Sequence, residues 1–135
     1  MRREIHEWAF RLALMVATLR ADPGYKAMVR DLVLRQLARA TFSVAGNLEE
    51  SLAAYSKADF AAKVAISAKE GREMNFWLRL GKEAGVLTDA ECERLMPEAR
   101  EVSIVVSTIA RRARMNREER AGSRGRSTRA AAATP

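Results

Sequence analysis

The chain has 135 residues and a mass of 15.0 kDa, which leaves room for one core and excludes a second full domain. Hydrophobic residues at 48% exclude a wholly disordered chain, and seven Gly with three Pro are too few for a sandwich or barrel of many short strands. The formal net charge of +7 points toward nucleic acid or an anionic membrane, but it is unevenly placed. Residues 1–110 carry 16 basic against 15 acidic side chains, whereas residues 111–135 carry eight Arg against two Glu.

Hydrophobic spacing predicts four helices. In the first, Ile5, Trp8, Ala9, Leu12, Met15, Val16 and Leu19 recur every three or four residues and form the expected buried stripe. Asp22-Pro23-Gly24 stops it. The second helix is expected from about Tyr25, with Val29, Leu32, Val33, Gln36, Leu37, Ala40, Val44 and Leu48 inward. Its apolar rhythm passes from Val44 through Leu48 to Leu52, so the helix is expected to continue across Gly46-Asn47. Asp31–Arg35, and Asp59–Lys63 in the next segment, are i,i+4 pairs in the favourable order.

The third helix opens at Ser56, whose Ser-Lys-Ala-Asp form suits an N-cap. Phe60, Val64, Ala68, Gly71 and Leu78, with Ile66, Trp77 and Leu80 beside them, give it a broad apolar side, and Gly85 ends it. Thr88-Asp89-Ala90-Glu91 is a capping box for the fourth segment. Pro97 is expected to divide that segment into a short turn and a long helix, with Val102, Val105, Val106, Ile109 and Ala113 inward. Past Arg120 the Gly, Ser, Arg, Thr and Ala composition offers no apolar face. The expected architecture is an all-α, antiparallel up-down four-helix bundle over residues 1–116 with a disordered Arg-rich tail over 117–135.

Catalytic constellations are absent from the sequence. One His, His6, and one Cys, Cys92, can form neither a disulfide nor a clustered metal site, and a lone Cys fits a reducing cytosol. Ser43 and Ser67 have no partner base in the sequence. Glu70 and Glu73 share a helix face, but Lys63, Lys69 and Arg72 lie within helical reach, so ion pairing is expected rather than acid–base chemistry. Arg2-Arg3 before an apolar run has a superficial likeness to a signal peptide, which Glu4, Glu7 and Arg11 interrupt. No stretch of about 18 uncharged apolar residues is present to span a membrane. A cytoplasmic protein without a cofactor is expected.

The run from Gln36-Leu37-Ala38-Arg39 through Ser43-Val44-Ala45-Gly46-Asn47 to Glu50 carries a polar pattern on an apolar helix. With Ser56–Phe60, Ala68–Glu73 and Trp77-Leu78, it resembles the small bacterial four-helix-bundle proteins first named for open reading frames in 23S rRNA intervening sequences. The likeness spans Ala9 to Arg114 and departs from the family pattern at Ala45-Gly46 and at Gly71. It implies a non-enzymatic homo-oligomer, typically a pentamer. One relative, the accessory variability protein of diversity-generating retroelements, is a basic pentamer that binds nucleic acid and a reverse transcriptase.

The matching polar positions are Arg39, Asn47, Glu50, Lys69, Glu70, Glu73 and Trp77, expected to tie the second and third helices together. RNA or DNA, and a reverse transcriptase or other protein, are the partners implied. The candidate nucleic-acid contacts are Arg111, Arg112, Arg114, Arg117, Arg120, Arg124, Arg126 and Arg129, because Arg grips phosphate in a bidentate fork. The expected function is an accessory or scaffold protein with non-specific nucleic-acid binding through these arginines. The alternative is a pure protein–protein interaction module, for which the arginines only keep the chain soluble.

Overall fold

Capping chemistry places the helix boundaries. The computed structural model describes the backbone of residues 2–131 and the side chains of residues 7, 8 and 10–123. Its elements are α1 (Arg2–Ala17), α2 (Pro23–Leu52), α3 (Lys57–Glu83) and α4 (Asp89–Ala131), with no strand among the described residues. Asp22 accepts a hydrogen bond from the Tyr25 amide at 3.0 Å, and Pro23 follows at the first helical position, where its missing N–H costs nothing. Asp22-Pro23 therefore starts α2, whereas α1 has already ended at Ala17, ahead of the Asp-Pro-Gly run expected to stop it. Ser56 caps α3 by accepting from the Asp59 amide at 3.1 Å. Thr88 and Glu91 close the capping box: the Thr88 amide donates to Glu91 at 2.7 Å, and the Glu91 amide to the Thr88 hydroxyl at 3.2 Å.

The helices form the expected four-helix bundle, with α3 at its centre. α2 and α4 pack along α3, and α1 lies against the C-terminal half of α3. One core cluster joins Phe10, Ala17, Val29, Val33, Leu80 and Val86; a second joins Ala40, Met74, Leu78, Leu87, Cys92 and Ala99. α2 runs unbroken through Gly46 and Asn47, and the Asn47 amide donates back to the Ser43 carbonyl at 2.9 Å. Gly85 sits at φ +68 just past the end of α3, the left-handed conformation that favours Gly.

Two features depart from the sequence pattern. In α1, Trp8, Leu12, Met15 and Val16 point outward, as does Leu19 just past its end, Trp8 being 63% and Leu19 72% exposed. The packed face is Phe10, Ala13, Leu14 and Ala17. Both faces obey helical spacing; what decides between them is Glu7, which pairs with Arg79 of α3, and Phe10, which lies under the Arg79 guanidinium at 3.6 Å. Ile5, His6 and Ala9 have side chains outside the described residues.

Secondly, α4 is one helix with Pro97 inside it. Proline removes one backbone hydrogen bond there, but Cys92 and Ala99 are buried on either side of it in the core. The bounds of α4 reach Ala131. Residues 114–123 are all exposed, so this end of the helix adds nothing to the core; its Arg, Glu and Ala content favours helix locally.

Candidate nucleic-acid interface

Most Arg side chains of the bundle already hold carboxylates. Arg39 of α2 reaches Glu70 at 3.4 Å and also bonds Glu73, whose second partner is the Trp77 indole N–H at 3.2 Å. The Arg39 and Trp77 donors hold the Glu73 carboxyl below its usual range. Arg79 grips Glu7 through two bonds and also reaches Glu83. Lys63 bonds Glu50 across the α2–α3 interface rather than holding Asp59 of its own helix. Arg30 donates to the Val86 carbonyl and to both oxygens of Glu91, and with the Thr88 amide it pushes the Glu91 carboxyl down to about 2.

Of the seven motif positions, Arg39, Glu50, Glu70, Glu73 and Trp77 thus lie in polar ties on and between α2 and α3. Asn47 bonds only within α2, and Lys69 faces solvent. Glu70 and Glu73 meet Arg39 rather than the neighbouring Lys69 or Arg72 of their own helix. Cys92 is buried, and that burial raises its thiol pKa.

A different environment lies between α3 and α4. A groove of about 950 Å³ runs between Ala61–Asn75 of α3 and Arg100–Arg117 of α4. Its cations are Lys69 and Arg72 from α3 with Arg100, Arg111, Arg114 and Arg117 from α4, and no carboxylate lines it. A neighbouring cleft is lined by Lys57, Arg112, Arg117 and Arg120, again without a carboxylate. Among the described residues, Lys69, Arg72, Arg100, Arg111 and Arg117 have no ion-pair partner. Arg114 pairs only with Glu118, one turn along, at 3.7 Å.

The structure therefore gathers five of the candidate arginines (Arg111, Arg112, Arg114, Arg117 and Arg120) beside basic residues of the bundle itself. Arg124, Arg126 and Arg129 have side chains outside the described residues. Sequence reasoning missed Arg72, Arg100 and Lys57, which the near-neutral charge of residues 1–110 hides. Helical projection places Arg100 and Arg111 eleven residues, about three turns, apart on one side of α4, with Arg114 and Arg117 following at three-residue steps. That α3 brings Lys69 and Arg72 opposite them is a tertiary fact.

The sequence matches the family described as 23S rRNA-intervening sequence protein over residues 3–108. The chain belongs to that family. The match includes Lys69, Arg72 and Arg100 and ends before Arg111. A solved structure of similar fold is a protein of unknown function from the S23 ribosomal protein family of Bacteroides thetaiotaomicron. It superposes with a TM-score of 0.54 at 23% identity, covering 80% of this chain and 88% of that one, a likeness of fold alone. No curated protein matches the chain.

Proposed function

We propose that this protein is a non-enzymatic, homo-oligomeric accessory protein of the cytoplasm that binds nucleic-acid backbones through the basic end of α4. The carrying observation is the convergence of unpaired cations on a groove without carboxylates, in a bundle whose other arginines are mostly neutralised. Each cation that meets a phosphate releases counterions, so affinity would be salt-dependent and largely indifferent to sequence. The names of the matched family and of the structural neighbour, one from 23S rRNA intervening sequences and one ribosomal, support a nucleic-acid setting. Among the described residues no helix is long and apolar enough to cross a membrane.

Self-association is supported by the large apolar side chains on the outside of α1 and just past its end, namely Trp8, Leu12, Met15 and Leu19. Five copies, the number typical of the family resemblance, would bring five basic helix ends together and add their fields. The direct test neutralises Arg111, Arg112, Arg114, Arg117 and Arg120 to Gln in the full chain, which keeps helix propensity. Binding to a fluorescent duplex at low salt should weaken by about tenfold or more. Unchanged binding would remove the basic helix end from the account.

A second reading is a protein-interaction module, such as an accessory subunit of a reverse transcriptase like that of the retroelement relative. The outward stripe of Leu34, Phe42 and Leu52 on α2 favours it, Phe42 being 72% exposed. This reading predicts no salt-dependent nucleic-acid binding at all.

A further inference from the structure

We infer that the α3–α4 groove is a track for the phosphates of a double-stranded nucleic acid, and that the track begins inside the bundle at Lys69, Arg72 and Arg100. This inference rests on the nucleic-acid reading above and specifies the site and the strandedness of what binds there.

The charge geometry is the first ground. Lys69 and Arg72 stand one turn apart on α3, and Arg100 faces the same groove from α4; all three are exposed and without an ion pair among the described residues. Arg111, Arg114 and Arg117 continue the row along α4. From Arg100 to Arg117 the helix advances about 26 Å at about 1.5 Å per residue. One strand of a duplex presents a phosphate about every 3.4 Å of axis, so such a length faces roughly seven phosphates.

The groove's neutral residues decide the kind of strand. Proteins that hold single strands stack bases on exposed aromatic rings, and no aromatic residue lines this groove. Phe60, which lines the neighbouring cleft, is half-buried. Three of the groove's four uncharged polar side chains, Ser107 being the exception, are also committed internally. Asn75 donates to the carbonyls of Gly71 at 2.8 Å and Ala99 at 3.2 Å and to Ser103 at 2.6 Å. Ser103 donates to the Gly71 carbonyl at 3.0 Å, and Thr108 to the Ile104 carbonyl at 2.9 Å. Those donors are not free to read base edges. Rigid rows of phosphate, without base stacking or base readout, are what the groove suits.

The test uses the full chain and fluorescence anisotropy with three probes: a 20-base-pair DNA duplex, an RNA duplex of the same sequence, and one single strand of it. At least one duplex should bind more tightly than the single strand. Six phosphate contacts give a slope of log K against log salt of about −5, a loss of roughly a thousandfold between 50 and 200 mM. The triple variant Lys69→Gln, Arg72→Gln, Arg100→Gln should reduce that slope by about 3, and Arg100→Gln alone by about 1. Circular dichroism establishes that each variant is folded. A single strand bound as tightly as both duplexes, or a triple variant with the parent's slope, overturns this inference and leaves the nucleic-acid reading standing. Absence of salt-dependent binding to all three probes overturns that reading and this inference with it.

Discussion

Gly81 and Gly46 offer one substitution in two opposite environments. Gly81 is buried in the last turns of α3, and a Cβ built there would lie 2.6 Å from Leu87 Cδ1, 2.7 Å from Leu87 Cγ and 3.0 Å from Val33 Cγ1. Leu87 and Val33 are themselves core residues, so neither can swing into solvent. A Cβ on Gly46, exposed in the middle of α2, would meet nothing within 4 Å. Replacing Gly by Ala in a helix is worth about 1 kcal/mol through propensity and the unfolded chain, and this gain applies at both sites. Overpacking a core costs about 1–3 kcal/mol and applies only to Gly81→Ala. Gly46→Ala should therefore raise Tm by about 4 °C, while Gly81→Ala should leave it level or lower it by up to about 8 °C, taking about 4 °C per kcal/mol at this chain length. Thermal unfolding followed by circular dichroism, at one protein concentration because self-association also shifts Tm, reads the difference. Equal stabilisation by both variants would refute the close approach of α3 to the α3–α4 connection.

The remaining expectations concern single ties and faces. The Glu91 carboxyl, held down to about 2 by Arg30 and the Thr88 amide, has a folded pKa below the usual value near 4.3. Its contribution is thus fully present above the unfolded value and lost as pH falls through about 2; acid unfolding of Glu91→Gln should show a shallower dependence over that window than the parent. Ser67 is fully buried and donates to the Val44 carbonyl at 3.0 Å, so Ser67→Ala should cost about 1 kcal/mol in urea unfolding. Replacing the outward Trp8, Leu12 and Met15 by Ser should lower the mass in solution to that of a smaller assembly while the helical content is retained, as light scattering and circular dichroism would record. An unchanged mass would place the self-association surface elsewhere.

Much of the fold is written in local chemistry. Asp22, Ser56, Gly85 and the Thr88–Glu91 box sit at helix ends, and each works through atoms within a few residues, so their sequence patterns translate directly into boundaries. Failures arise where two local answers were equally good. α1 is apolar on two sides, and distant partners, among them Arg79, Phe76, Val33 and Leu80, select the face bearing Glu7 and Phe10. Pro97 breaks a helix in isolation, but packing of Cys92 and Ala99 against the core carries α4 through it. The candidate site divides in the same way. Arg111 to Arg120 are conspicuous in the sequence because they cluster along it, whereas Lys69, Arg72 and Arg100 come together only once α3 and α4 pack.

The most direct test of the functional account is the salt dependence of binding between the unmodified full chain and one DNA or RNA duplex. If the unpaired cations of the α3–α4 face meet phosphates, log K falls linearly with log salt with a slope of about −5, and unrelated sequences give similar values. A flat line, or no binding at 50 mM salt, contradicts it.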